Sequence, residues 1–126
     1  MPRERRRDAT GDRDRFEHML GAARDAIAFV QGRKREDLDQ DAMLRRGLVN
    51  CVQVIGEAAA RTADAGRSRA PALPWSKMVG MRHILVHAYF NIDWDAIWRV
   101  AQEHMPLLKR ELEAALRDWD APPTST

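Results

Sequence analysis

One short segment of the chain, from Arg82 to Tyr89, holds the residues best suited to chemistry. A guanidinium at Arg82, imidazoles at His83 and His87 and a phenol at Tyr89 occur there in an otherwise apolar stretch. Histidine has an unperturbed pKa of about 6.5, so it can act as a base or an acid near neutrality. Arginine stays protonated and can donate two hydrogen bonds to phosphate oxygens. These residue types suit cleavage of an RNA phosphodiester by its own 2′-hydroxyl, which needs no metal ion or other cofactor.

The spacing of these residues limits how they can meet. On an ideal helix Arg82 and Tyr89 lie nearly on one stripe, whereas Arg82 and His87 point about 140° apart. The arginine and the histidine could converge through the long arginine side chain, through an irregular helix end, or through a second copy of the chain in a dimer.

Other interpretations of the same residues remain open at this point. A histidine beside apolar residues is more often a hydrogen-bonded core residue than a catalyst. His83 and His87 also have the i, i+4 spacing of zinc-binding helices, but no glutamate follows His83 and no third ligand is evident. Tyr89 by itself would be a half-buried aromatic residue. The residues alone therefore do not choose between a ribonuclease, a zinc site and a core cluster.

Composition places the chain among single-domain proteins that work in a reducing compartment. The 126 residues carry 21 basic and 19 acidic side chains, a net charge of +2, so an RNA site must come from local arrangement. No apolar run reaches the roughly 18 residues of a membrane span, and none follows the arginine-rich N-terminus. We therefore expect a cytoplasmic protein without membrane contact. Cys51, set among valines, is expected to be a core residue rather than a nucleophile.

Changes in pattern along the chain divide it into three parts. Residues 1–12 are polar and charged, typical of a flexible basic tail, and residues 121–126 are expected to be a disordered tail. Residues 13–120 carry apolar positions at helical spacing and are expected to form a single helical domain. No segment has the alternating pattern of a strand, so the domain should be all-α, an antiparallel bundle of four to five helices.

The helix boundaries follow from glycine, proline and capping residues. The first helix is predicted from Asp14 to Gly32, and the second over residues 38–64 with Gly66 as its stop. The proline-containing loop 66–74 follows.

The second half of the domain is predicted to contain two helices. One should begin at Pro74 or Trp75 and end near Phe90 and Asn91. Asp93 can cap the other, which Pro106 should kink because proline lacks a backbone donor.

The spacing Arg82, His87, Tyr89 resembles the R-x4-H-x-Y motif of HepT-like toxins in the HEPN superfamily, whose members are helical and often ribonucleases. Three further segments are similar to that family in the expected order, and the resemblance covers about residues 14–118. These segments are VIGEAAA at 54–60, WSKMVGM at 75–81 and YFNID at 89–93.

The resemblance implies that Arg82 and His87 are the catalytic pair and that two protomers build one composite RNA cleft. The residue after the arginine is commonly asparagine in such proteins, whereas here it is His83. His83 is a third catalytic candidate, either as a hydrogen-bond donor or as a second acid or base. The resemblance also implies that Glu57 lies near the site, although a solvent-facing glutamate is equally consistent with its position.

The same resemblance implies a partner and a modification. The protein would be the toxin of a type VII-like toxin–antitoxin module, neutralised by a minimal nucleotidyltransferase that transfers AMP to Tyr89. A nucleotide attached there would block the cleft, and its phosphate would pair with Arg82. The alternative is a non-catalytic helical subunit that binds the nucleotidyltransferase through Trp94, Trp98 and Trp119, although tryptophans at helical spacing more often belong to a core.

Overall fold

The computed structural model describes residues 11–86 and 92–120, and over these residues it contains helices and no strands. The expectation of an all-helical bundle is confirmed. A π-helical turn, Val100–His104, joins the last two helices. The helices are α1 Asp12–Val30, α2 Asp37–Gln40, α3 Ala42–Arg61, α4 Asp64–Arg67, α5 Trp75–Val86, α6 Trp94–Arg99 and α7 Met105–Arg117.

Helices α1 and α3 form the middle of the bundle. Helix α1 packs against α3 on one side and α7 on another, and α3 in turn packs against α5. The apolar stripes predicted from the sequence supply the core, because each amphipathic helix buries its apolar face against its neighbours. Fully buried side chains include Phe16, Met19, Leu48, Ile55, Met78 and Leu108.

The predicted second helix is interrupted near its start. Asp41 adopts an extended backbone conformation, and its carboxylate accepts hydrogen bonds from the backbone N–H groups of Met43 and Leu44, both at 3.1 Å. It therefore caps α3 and separates it from the short α2, because a side chain that satisfies the first N–H groups favours a new helix start. Arg61 is the last residue of α3, so the predicted end at residue 64 was too late.

Gly66 does not stop a helix as expected but lies inside α4, where it allows close packing. A Cβ atom at this position would overlap the carboxylate of Asp12. Asp12 is only 2% exposed, pairs with Arg15 at 3.0 Å and accepts a hydrogen bond from the N–H of Ala63 at 3.2 Å. Asp12, which the sequence-based division placed in the tail, is thus the first residue of α1 and fixes it to α4.

The C-terminal helices follow the sequence signals closely. The carboxylate of Asp93 accepts a hydrogen bond from the N–H of Ala96 at 3.1 Å and caps α6, as predicted. Pro106 cannot donate to the carbonyl four residues earlier, so regular α-helical bonding is interrupted at this point. The π-helical turn ends at His104, two residues before Pro106, and is the irregularity that the sequence predicted as a kink.

Two tryptophans belong to the core. The ring of Phe16 lies 5.7 Å from that of Trp75 and 4.9 Å from that of Trp119, centroid to centroid. Trp119 is buried, so it cannot contribute to the exposed tryptophan surface of the alternative function; Trp94 and Trp98 are half-buried.

Cys51 is also buried, and burial raises the pKa of its thiol to about 11, as expected of a core cysteine. None of the described helices is long and apolar enough to cross a membrane.

Candidate functional site

The candidate catalytic residues begin at the C-terminal end of α5. The side chains of Arg82 and His83 are both exposed there. Burial of Trp75, Met78 and Met81 fixes the rest of this helix in the core. His87 and Tyr89 lie outside the described residues, as does the predicted end of this helix.

Arg82 presents an available positive charge. Its guanidinium makes no hydrogen bond or ion pair with the described part of the chain. An exposed arginine without a carboxylate partner can donate two hydrogen bonds to a phosphate group. The end of α5 can therefore bind an anion through Arg82.

The direction of Arg82 depends on Gly56, a buried residue of α3 that faces it. A Cβ atom added to Gly56 would lie 2.5 Å from Cγ of Arg82 and 3.2 Å from its backbone nitrogen. The absence of a side chain thus allows the stem of Arg82 to lie against α3. Gly56 lies within the VIGEAAA segment, and no role for it was predicted from the sequence. The sequence did contain a signal, because a glycine within an apolar helix lowers helix stability by about 1 kcal/mol relative to alanine and so suggests a close contact.

A groove between α1 and α3, of about 730 Å³, lies on another face of α3. We call it the acidic groove because four carboxylate residues line it, against two arginines and one histidine. Glu57 belongs to this groove and accepts a hydrogen bond from Nε2 of Gln53 at 3.3 Å. Glu57 lines the groove together with α1 residues, whereas its neighbour Gly56 faces Arg82. The charged lining residues are Asp14, Glu17, Asp25, Glu57, Arg15, Arg61 and His18.

A second groove, of about 460 Å³, lies between α3 and the start of α6. We call it the basic groove because two arginines line it and none of its described lining residues is acidic. It contains one aromatic ring and two amide side chains. Its lining residues are Ala42, Arg45, Arg46, Val49, Asn50, Gln53, Ile92 and Trp94.

Zinc binding was considered for His83 and His87 from their spacing alone. Within residues 11–86 and 92–120, no group of three or more histidine, cysteine, aspartate or glutamate side chains could hold a metal ion. The second histidine of the pair lies outside these residues, so the spacing remains the only feature that suggests zinc.

Comparison with known proteins gives consistent matches. A family model described as "Ribonuclease HepT-like" matches residues 19–115. "Putative RNase MJ1380" of Methanocaldococcus jannaschii is 34% identical over 95 residues, which cover 75% of this chain and 87% of that protein. "Putative RNase TTE0752" of Caldanaerobacter subterraneus is 30% identical over 102 residues, covering 81% and 91%. "Probable ribonuclease HepT" of Thermococcus cleftensis is 32% identical over 78 residues, covering 62% and 71%. No solved structure matches the chain significantly.

The matched range extends from the first half of α1 to the last turn of α7, so it contains nearly all of the helical bundle. It includes Gly56 and Arg82, which contact each other, and the whole Arg82 to Tyr89 segment. The relatives align over most of their own length as well as most of this chain. The chain therefore belongs to the HepT-like ribonuclease family.

Proposed function

We propose that this protein is a metal-independent endoribonuclease that cuts RNA with Arg82 and His87. The observation that carries the proposal is the exposed guanidinium of Arg82, which has no partner among the described residues and is held against α3 by Gly56. Family membership adds the reaction class, because the relatives are named as RNases. The R-x4-H-x-Y spacing adds the second catalytic group.

In the proposed reaction, His87 removes the proton from the 2′-hydroxyl of the RNA as the oxygen attacks the adjacent phosphorus. Arg82 donates hydrogen bonds to the phosphate oxygens, where negative charge increases in the transition state. The bond from phosphorus to the 5′-oxygen then breaks, and that oxygen takes up a proton. The products are a 2′,3′-cyclic phosphate and a 5′-hydroxyl. We assign His83 to the same phosphate, either as the acid for the leaving oxygen or as a hydrogen-bond donor.

We further propose that the active form is a homodimer with a composite cleft. Arg82 and His87 diverge by about 140° on a regular helix, so one chain cannot easily direct both at one phosphate. A two-fold dimer, the commonest closed assembly, can place the arginine of one protomer opposite the histidine of its partner. This arrangement follows from the spacing and from the requirement that both groups reach one substrate atom.

The biological context that fits this enzyme is a toxin–antitoxin module. We propose a minimal nucleotidyltransferase as the antitoxin, which transfers AMP from ATP to the phenol oxygen of Tyr89 and releases pyrophosphate. If the helix continued regularly, Tyr89 would lie almost in line with Arg82, and the added phosphate would pair with Arg82 and exclude RNA. Intact mass after incubation with the nucleotidyltransferase and ATP tests this step; Tyr89→Phe should gain no AMP.

The ribonuclease proposal is tested with purified protein and a labelled RNA in excess chelator. Cleavage should continue and should leave 2′,3′-cyclic phosphate ends. Arg82→Ala should reduce the rate about 10²–10³-fold and His87→Ala about 10²–10⁴-fold, because the first removes an oxyanion donor and the second a general base. Lys77→Ala is the matched control, an exposed cation on the same helix as Arg82. A requirement for a divalent ion, or full activity of Arg82→Ala, would contradict the proposal.

A further inference from the structure

The basic groove has the chemistry of a site for one nucleotide of single-stranded nucleic acid. Such sites combine positive charge for the phosphate with an aromatic ring on which a base can stack. Here Arg46 supplies the charge and Trp94 the ring, and Asn50 adds an amide group that can bond to a base edge. Gln53 also lines the groove, and its amide nitrogen donates to Glu57 at 3.3 Å. None of the described lining residues carries a negative charge.

Arg46 is the residue of this groove that is available for a phosphate. It is exposed and makes no hydrogen bond or ion pair with the described part of the chain. Its neighbour Arg45 is engaged, since its Nη1 donates to the carbonyl of Leu38 at 2.6 Å. Three aspartates adjoin lining residues in the sequence. Asp41 and Asp95 are paired with arginines, at 2.8 Å and 2.6 Å. Asp93 caps α6 and accepts a hydrogen bond from the N–H of Ala96 at 3.1 Å. Among the described residues, none of these carboxylates is paired with Arg46.

The groove lies on the face of α3 that contacts Arg82, one of the candidate catalytic residues. Val49 lines the groove, and Gly56, seven residues later on α3, contacts Arg82. Over seven residues an α-helix rises about 10 Å and rotates within about 20° of two full turns. Val49 and Gly56 therefore lie on the same face of α3. On the other side of the groove, Trp94 follows the segment that contains His87 and Tyr89 by only a few residues. A short single strand can therefore contact Arg82 and the basic groove together.

We propose that the basic groove binds a nucleotide of the RNA substrate beside the cleaved bond, with its base stacked on Trp94 and its phosphate paired with Arg46. This inference rests on the proposed ribonuclease function and adds the position of the bound strand. Trp94 and Arg46 are binding residues, so their substitution should lower the affinity for RNA.

The test measures binding without cleavage, using a fluorescent RNA in which every 2′-hydroxyl is methylated, over a series of salt concentrations. Arg46→Gln should weaken binding and lower the slope of log Kd against log salt by about 0.7, the contribution of one phosphate contact on a single strand. Trp94→Leu should weaken binding about tenfold with little change in slope, because only stacking is lost. Trp94→Phe keeps an aromatic ring and should retain most of the affinity.

The matched control is Arg61→Gln, which removes an exposed arginine of the same helix from the acidic groove and should leave Kd and slope unchanged. Equal effects of Arg46→Gln and Arg61→Gln would overturn the proposal, as would unchanged binding in both Arg46→Gln and Trp94→Leu. If these two variants instead alter the oligomeric state measured by light scattering, the groove is a contact between copies and the proposal is wrong. Because the RNA is not cleaved, these outcomes are independent of whether the wild-type protein proves to be a ribonuclease.

Discussion

The acidic and basic grooves lie on adjoining faces of the same helix, α3, and both are lined by Asn50, but they differ in size and charge. The acidic groove is larger, about 730 Å³ against 460 Å³, yet four carboxylates line it. The basic groove has two arginines and lies on the same face of α3 as Gly56, which contacts Arg82 of α5. RNA is a polyanion, so charge and proximity to Arg82 favour the smaller groove over the larger one. A net charge of +2 for the whole chain conceals this separation.

Among the substitutions that compare the two faces of α3, Gly56→Ala is expected to have the largest effect on activity and stability. The added Cβ would displace the stem of Arg82, and a misplacement of about 1 Å can cost about 10²-fold in rate. The variant should also lose about 1–3 kcal/mol of unfolding free energy through overpacking. Chemical denaturation measures the second quantity and a cleavage assay at saturating RNA the first.

Gly80→Ala on α5 is the matched control for this prediction, because no atom lies within 4 Å of the Cβ that it adds. It should keep its activity and gain roughly 0.5–1 kcal/mol in stability. The stability cost of Gly56→Ala should fall when Arg82 is also alanine, since the crowded Cγ is then absent. A cost that stays the same in the double variant would show that Gly56 does not act through Arg82.

A smaller effect, on stability at high pH, is expected from Cys51 in the floor of the acidic groove. Burial, with a minor contribution from Asp25, raises the pKa of its thiol from an ordinary value of 9.0 to about 11. Ionisation of the thiol is therefore less favourable in the folded than in the unfolded state. The stability that the neutral, buried thiol contributes is fully present below pH 9. It is lost as the pH rises from 9 through 11.

Urea unfolding at several pH values should thus show a steeper loss of stability above pH 9 for the wild type than for Cys51→Ala. All other groups titrate in both proteins, so the difference between the two curves gives the contribution of the Cys51 thiol. Parallel curves for the two proteins would contradict the assignment.

The smallest effect is expected from Glu57→Gln, which neutralises one carboxylate of the acidic groove. Glu57 lines the groove with α1 residues, and its neighbour Gly56 occupies the face toward Arg82. RNA cleavage should remain within about twofold of wild type, because the charge of Glu57 is exposed and largely screened by salt, and glutamine can still accept the hydrogen bond from Gln53. A tenfold or greater loss of kcat would restore Glu57 as a member of the site, as family resemblance first suggested.

Local signals in the sequence were sufficient where one residue controls one structural feature. The helical stripe that contains Phe16 predicted α1, Asp93 predicted the cap of α6, and Pro106 predicted the irregularity before α7. Asp41 was missed as a cap because helical spacing of apolar residues continues on both sides of it, while its carboxylate bonds to Met43 and Leu44 within the predicted helix. A capping side chain can outweigh a continuous pattern when it satisfies otherwise unpaired N–H groups.

The sequence by itself determined the all-helical class, the family and the residue types available for RNA cleavage, because these depend on periodicity and on a short motif. Tertiary structure alone decided that Gly56 lies against Arg82, that Gly66 lies against the buried carboxylate of Asp12, and that Glu57 lines a groove together with α1 residues. The two glycine contacts join residues that are 26 and 54 positions apart in the sequence. The position of Glu57 depends on which helix packs against its face of α3. Helical periodicity defines faces but does not say which helix will pack on each, since that choice depends on how all the helices fit together.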